Sequence, residues 1–425
     1  MTAKIIKRNE NTFLVQIEVP YSISMLDGEE LLQKALNEAG SLATGELLVK
    51  FDSDGSPIMV GDKKWTSKGK IPQTYQTPYG EARIERHVYQ SSSGGRGYCP
   101  SDKDARIIIT STPKFAKMLT SKYSADGASR VLKDLEENHG RKISKLLLQN
   151  VSEAVGAVAM AKEEDWNYEL PKMERPVRTV SIGLDGTCML MTDQGWREAM
   201  VGTIGLYNYK GERQHTIYTA ATPEYGKEKF LANLKNEVQA IKEKFPKATY
   251  IGLADGAREN WEFLGEHSDH QILDFYHATG YLGKAAGVMF KDEFQRESWM
   301  EIACHNLKHN KGGAARLLTE VQNFGDENKL KEAEKGQIES MLTYFENNKP
   351  RMKYSDHVGN NWPIGSGITE AACKVIVKQR LCNSGMRWKD KGASVVLSLR
   401  CLNQTENRWG QFWNKIDRYG FPVAA

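Results

Sequence analysis

Three carboxylates occupy positions from which they could work together. Asp185 lies in TVSIGLDGTCMLM (179–191), Asp255 in ATYIGLADG (248–256) and Glu370 in NWPIGSGITEAACKVIVKQRL (361–381). Carboxylate oxygens are hard donors, and a scattered Asp, Asp, Glu set suffices for Mg²⁺ or Mn²⁺, whose remaining ligands are waters and substrate phosphates. Two such ions activate a water or a 3′-OH and stabilise the departing oxygen of an in-line phosphoryl displacement. A single aspartate after a strand is more often a turn or cap residue. Three carboxylates in this order on one topology shift the balance toward chemistry. Glu370, Lys374 and Lys378 follow at i, i+4, i+8 on one helix face, so the glutamate could complete a metal site with two lysines beyond it to meet phosphates. The same spacing also describes an ordinary solvated Glu/Lys ladder.

These residues need a sheet to hold them. After the Pro171–Pro176 linker, runs at 179–191, 197–208 and 214–222 predict three strands. An amphipathic helix (223–246), a strand (248–256), a short helix (257–267) and a fifth strand (270–278) follow. Three strands able to form an antiparallel meander, then helix-separated strands that pair in parallel, are similar to the mixed sheet of the ribonuclease H-like fold. In the first strand Val180, Ile182 and Leu184 share the apolar face, while Thr179, Ser181, Gly183 and Asp185 share the other. Gly183 and Gly186 beside Asp185 would let a metal or a nucleic-acid backbone approach. If the first and fourth strands are neighbours, their ends bring Asp185 and Asp255 to one ion.

The N-terminal hundred residues read as a small α/β or β-rich module. It has a strand at 12–19, a helix at 27–40 ended by Gly40, a polar stretch at 53–74, an alternating run at 81–90 and a loop at 91–100. From Thr112 the texture is helical, with segments 113–122, 126–138 and 141–163 separated by Asp-Gly and His-Gly breaks. This fits a helix-turn-helix that reads DNA, and fits a plain helical connector as well. The expected division is 1–108 for the N-terminal module, 109–172 for the helical region, 176–280 with 357–425 for the catalytic domain, and 281–356 for a helical insertion.

Composition narrows the classes. The 425 residues are 40% hydrophobic, with no run of the roughly 18 apolar residues a membrane span requires and no apolar leader segment, so a cytoplasmic protein is expected. The six cysteines are scattered without a CxxC pair, which disfavours a zinc ribbon. His305 and His309 lack a second ligand pair and read as a surface pair. A net charge of +4 says little, but its distribution says more: from Lys374 to Arg418 ten basic residues face three acidic ones. Within that segment Lys374, Lys378, Arg380 and Arg387 are candidate phosphate contacts and Trp388 a stacking partner. A solvated, Arg-rich helix face explains the same pattern.

With these strings in place, the chain resembles the DDE transposases of bacterial insertion sequences, most closely the ISKra-type group. SIGLDGT around Asp185, LADGA around Asp255, DFYHA from Asp274, WPIGSGITEAACK around Glu370 and Arg387-Trp388 carry the resemblance, which covers about Thr112 to Trp413. It implies an α/β, ribonuclease H-like catalytic domain interrupted by a helical insertion, with Asp185, Asp255 and Glu370 holding two Mg²⁺ or Mn²⁺ ions. Relatives with such an insertion carry a (C/D)xxH string after the second aspartate. Asp274-Phe275-Tyr276-His277 matches it, which implies that His277 lies near the active site against DNA or the scissile phosphate. The implied partners are double-stranded DNA, as element ends and target, and further copies of the chain, with nucleoid association. Family members often carry a cysteine-rich N-terminal module, whereas this N-terminal region has only Cys99. Two alternatives stay open: a ribonuclease H-like nuclease or resolvase without strand transfer, and a domesticated DNA-binding protein.

Overall fold

A computed structural model describes residues 2–163, 165–223 and 226–421. The chain is a mixed α/β protein that forms two compact units. One comprises the described residues up to 169 together with Ser398–Asn403 and those from Asn407 on; the other comprises Leu170–Leu397 and Gln404–Glu406. Among the described residues no helix is long and apolar enough to cross a membrane.

The first unit opens with the hairpin β1 (Ala3–Arg8) and β2 (Phe13–Ile17), followed by the long helix α1 (Met25–Val49). Ser24 caps α1 by accepting the Asp27 amide. The helix was expected to stop at Gly40, yet it runs on. A Cβ at position 40 would overlap the ring of Tyr79, so this glycine serves close packing rather than termination. The polar stretch 53–74, given no element from its sequence, is ordered as strands. It forms β3 (Ile58–Val60) and most of β4 (Lys63–Gln76), which pairs antiparallel with β5 (Glu81–Ser91). A short helix α2 (Pro100–Asp104) precedes α3 (Pro113–Ala125), α4 (Ala128–His139) and α5 (Lys145–Ala161). Gly140 ends α4 in the left-handed conformation that favours glycine, and Ser144 caps α5. The two N-terminal segments expected to be separate share this unit: Thr112 N–H donates to Gln76 O at 2.9 Å, and the buried Arg141 guanidinium donates to Thr77 O at 3.0 Å.

The second unit is built on five strands: β6 (Thr179–Met191), β7 (Gly195–Tyr207), β8 (Arg213–Ala221), β9 (Thr249–Ala254) and β10 (His270–Leu273). Their order is β10-β9-β6-β7-β8; β6, β7 and β8 form an antiparallel meander, and β6, β9 and β10 run parallel. Helix α6 (Lys227–Lys244) covers the face of Val180, Ile182 and Leu184, with Phe230 and Leu234 reaching down to Gly202. Helix α7 (Arg258–His267) connects β9 to β10. The helical block follows as α8 (Phe275–Met289), α9 (Glu293–His309), α10 (Gly313–Glu327), α11 (Glu332–Asn348) and α12 (Tyr354–Gly359). Its apolar residues, among them Leu282, Leu317, Met341 and Phe345, are continuous with the core under the sheet.

The fifth strand ends earlier than expected. Asp274 is not on a strand; it caps α8, its side chain accepting the His277 amide, and this places His277 in the first helical turn. The polar face of β6 is not open either. Helix α13 (Gly367–Ala372) lies on it, with Thr369 over Gly183 and Ile368 over Gly205. The helix continues through a π-helical turn (Cys373–Lys378) and α14 (Gln379–Leu381), and the chain closes with α15 (Asp390–Gln404) and α16 (Arg408–Tyr419). Residues 398–403 and 407–421, expected in the catalytic domain, group with the first unit instead.

Candidate active site

The register of β6 and β9 brings the two aspartates together. Their last parallel rung pairs Gly183 with Leu253, and each aspartate stands two residues further on its own strand path. The two-residue period therefore points Asp185 and Asp255 to one face, beyond the carboxyl end of the parallel ladder, where open α/β sheets bind ligands. Burial, with the charge of Asp255 adding to it, holds the Asp185 carboxyl above the usual aspartate range. Asp185 is nevertheless held in place. Its Oδ1 accepts the Gly186 amide at 2.7 Å, and its Oδ2 faces the Cys373 thiol at 3.6 Å. Burial and the facing carboxylate push that thiol up to about 12, so Cys373 stays a protonated donor. From the opposite face, Asn260 of α7 donates to Leu184 O at 3.4 Å.

Glu370 arrives on α13, in the helix that covers the Asp185 face. The approach is close: a Cβ on Gly183 would overlap Thr369 Oγ1, and Thr203 and Thr369 share a buried hydroxyl hydrogen bond of 2.8 Å. The exposed Glu370 carboxylate has Ser366 Oγ at 3.4 Å and His277 Nε2 at 3.8 Å from Oε1. Asp255 is fixed through its main chain, because Tyr344 of α11 donates its hydroxyl to Asp255 O; the Tyr344 ring stacks on Tyr281 at 3.9 Å. The helical block thus braces the strand end that carries the second aspartate.

The donor set suits a divalent cation. Three hard oxygen donors come from neighbouring elements, and burial, with the nearby Asp255 charge adding to it, disfavours the ionised Asp185 carboxylate, a cost that a bound cation offsets. Among the described residues, no three His, Cys, Asp or Glu side chains close into a ligand set as they stand. Asp185, Asp255 and Glu370 are the residues that would hold the ions.

The expected DNA contacts divide. Lys374, Lys378 and Arg387 are exposed. The π-helical turn, closed by i→i+5 bonds, means that the regular i, i+4, i+8 line does not carry through to Lys378. Arg380 is a correction: it is 1% exposed, its guanidinium lies 5.2 Å from the centre of the Trp388 ring, and a buried cation cannot reach a phosphate. Trp388 is half-buried and occupied, its indole N–H donating to Leu381 O at 2.9 Å and its backbone bridging to β6 at Met191. The basic C-terminal run is likewise no continuous surface, since Arg400 and Arg408 are buried too. Arg400 donates to Ser124 O and Arg408 lies over the Tyr168 ring. His305 and His309 are exposed neighbours on α9.

Sequence reasoning missed four participants: Glu198, Ser366, Cys373 and the role of Asp274. Glu198 on β7 lies over Gly186, filling the space expected to admit a ligand, and its charge also raises Asp185. A register of the β6–β7 hairpin would have pointed to it. Asp274 carried a legible signal, an aspartate just ahead of a helical stretch. The chain matches no protein-family model and no curated protein.

Proposed function

We propose that this chain is a DNA transposase of the DDE type, with a ribonuclease H-like catalytic sheet and a helical insertion, that holds Mg²⁺ or Mn²⁺ with Asp185, Asp255 and Glu370. The observation that carries the proposal is the strand register: the two aspartates lie two residues beyond one parallel β6/β9 pair, and the helix covering that face brings Glu370. The antiparallel β6-β7-β8 meander with β9 and β10 added in parallel supports the fold assignment. When bound, the ions activate a water or 3′-OH and stabilise the leaving oxygen.

The protein's own groups position and shield. Gly186 N–H and the Cys373 thiol hold Asp185, the Tyr344 hydroxyl holds the main chain at Asp255, and Ser366 steadies Glu370. His277, beside Glu370, meets the scissile phosphate. Lys374, Lys378 and Arg387 neutralise backbone phosphates, a sequence-independent contribution. In the first unit α5 is the helix suited to read element ends, with Lys142, Lys145 and Asn150 exposed around its N-terminal half. Two ends cut in concert require more than one copy of the chain, acting on chromosomal DNA at the nucleoid.

The test uses the purified chain, Mg²⁺, DNA taken from the flanks of its own gene as the element end, and a plasmid target. Joined products support a transposase. Cleavage without joining reduces the enzyme to a nuclease or resolvase, and binding without metal-dependent cleavage on any substrate overturns the catalytic reading in favour of a DNA-binding protein.

A further inference from the structure

Asp274 is fully buried, and the three donors its carboxylate accepts are all neutral. Oδ1 takes the His277 amide at 2.6 Å; Oδ2 takes the Ser366 amide and, at 2.6 Å, the Ser366 hydroxyl. Burying a carboxylate is unfavourable unless its lone pairs are filled, so three hydrogen bonds in one place indicate a position the fold holds firmly. The main chain adds two more ties. Asp274 N–H donates to Ala254 O at 2.9 Å, next to Asp255, and Phe275 N–H donates to Ile364 O at 2.9 Å.

Each tie leads to a residue of the proposed site. Ala254 precedes Asp255, and His277 is set by the cap of α8. Ser366 starts the helix of Glu370: its carbonyl accepts the Thr369 and Glu370 amides at 2.7 and 3.0 Å, and its hydroxyl lies 3.4 Å from Glu370 Oε1. Gly365 is shaped for this contact, since a Cβ there would come within 2.9 Å of the Tyr276 ring. No other residue described above connects the neighbour of the second aspartate, by its main chain, with the histidine and the helix of the glutamate, by its side chain.

We infer that Asp274 is a positioning residue which, through Ser366, sets the separation of Glu370 from Asp255 and thereby the affinity of the site for divalent metal. The inference rests on the proposed metal site and adds a role for a residue that touches neither metal nor DNA. Partners that orient metal ligands typically change affinity about 10- to 100-fold when removed.

The test is a Mn²⁺ titration of the full DNA-free chain, read by electron paramagnetic resonance of the free ion, beside thermal unfolding. The variants are Asp274→Asn, Ser366→Ala, Asp185→Asn and Asp292→Asn. Asp292 is an exposed cap of α9 that accepts the Gln295 amide, and so reports on the loss of a helix cap alone. Asp274→Asn is expected to weaken Mn²⁺ binding by at least about 10-fold, and Ser366→Ala to weaken it in the same direction while unfolding cooperatively. Asp292→Asn is expected to leave Mn²⁺ affinity unchanged. Should Asp274→Asn fail to fold, Ser366→Ala decides. Wild-type affinity in both folded variants, with Mn²⁺ binding lost in Asp185→Asn, overturns the positioning role and leaves the metal site standing. Mn²⁺ binding unaffected by Asp185→Asn overturns the metal site itself.

Discussion

Gly183→Ala tests whether the approach of α13 to β6 is what delivers Glu370 to the aspartates. The added methyl would overlap Thr369 Oγ1 and lie 3.1 Å from Thr203 Oγ1 and 3.4 Å from Thr369 Cβ. Because two threonine side chains joined by a hydrogen bond crowd the spot, α13 must lift or the Thr203–Thr369 hydrogen bond must break. Overpacking costs about 1–3 kcal/mol and a buried neutral hydrogen bond about 1 kcal/mol, so destabilisation of roughly 2–4 kcal/mol is expected. For a unit of this size that corresponds to a fall in Tm of about 5–15 °C. The decisive measurement is a double-mutant cycle with Thr369→Ala, which removes the overlapping hydroxyl and leaves a Cβ contact the sheet tolerates. The pair is expected to be more stable than the sum of the singles by at least about 1 kcal/mol, and to regain part of the cleavage activity lost in Gly183→Ala. Additivity within about 0.5 kcal/mol would refute the account, because the methyl and the threonine would then not compete for one space.

Four further outcomes are expected. Asp185→Asn, Asp255→Asn and Glu370→Gln each abolish metal-dependent cleavage and leave DNA binding by gel shift nearly intact; substantial nicking by any one removes that residue from the site. Lys374→Ala, Lys378→Ala and Arg387→Ala lower DNA affinity and shallow its salt dependence without moving Tm. Arg380→Ala does the reverse, lowering Tm because it strips a buried cation from the Trp388 ring; a salt-slope change at constant Tm would place Arg380 at the DNA instead. His357 is buried, and desolvation together with nearby His270 lowers its pKa from 6.5 to about 4. The unfolded chain therefore binds the proton more readily, so its contribution to stability is full above pH 6.5 and is lost as pH falls from 6.5 toward 4. Thermal melts across that range should show this decline, and His357→Phe should flatten it.

Much of the second unit was legible in residue order. Strand alternation and the amphipathic run before β9 located all five strands and α6, because period two and period 3.6 are local properties of the chain. Errors fell where a distant partner decided the outcome. Gly40 looks like a helix stop until Tyr79 packs on it, and the polar 53–74 stretch shows no element of its own until β5 supplies its hydrogen bonds. The run 270–278 looks like one strand because its apolar residues mask an aspartate that prefers to cap α8. The basic C-terminal run failed for a related reason: charge counts do not reveal which arginines are buried, and Arg380, Arg400 and Arg408 are.

By itself the sequence determined which residues carry chemistry-grade side chains, that Asp185 shares a face with Gly183 and Ser181, and that Asp255 ends an apolar strand. Only the tertiary structure decided that the two aspartates stand just beyond the last rung of one parallel ladder, that α13 rather than solvent or ligand covers the Asp185 face, and that Asp274 ties three of the site's elements together. The reason is physical. Which way a side chain points follows from the local dihedral period, whereas which groups meet follows from pairing and packing between segments far apart in the chain, whose energies no local window contains.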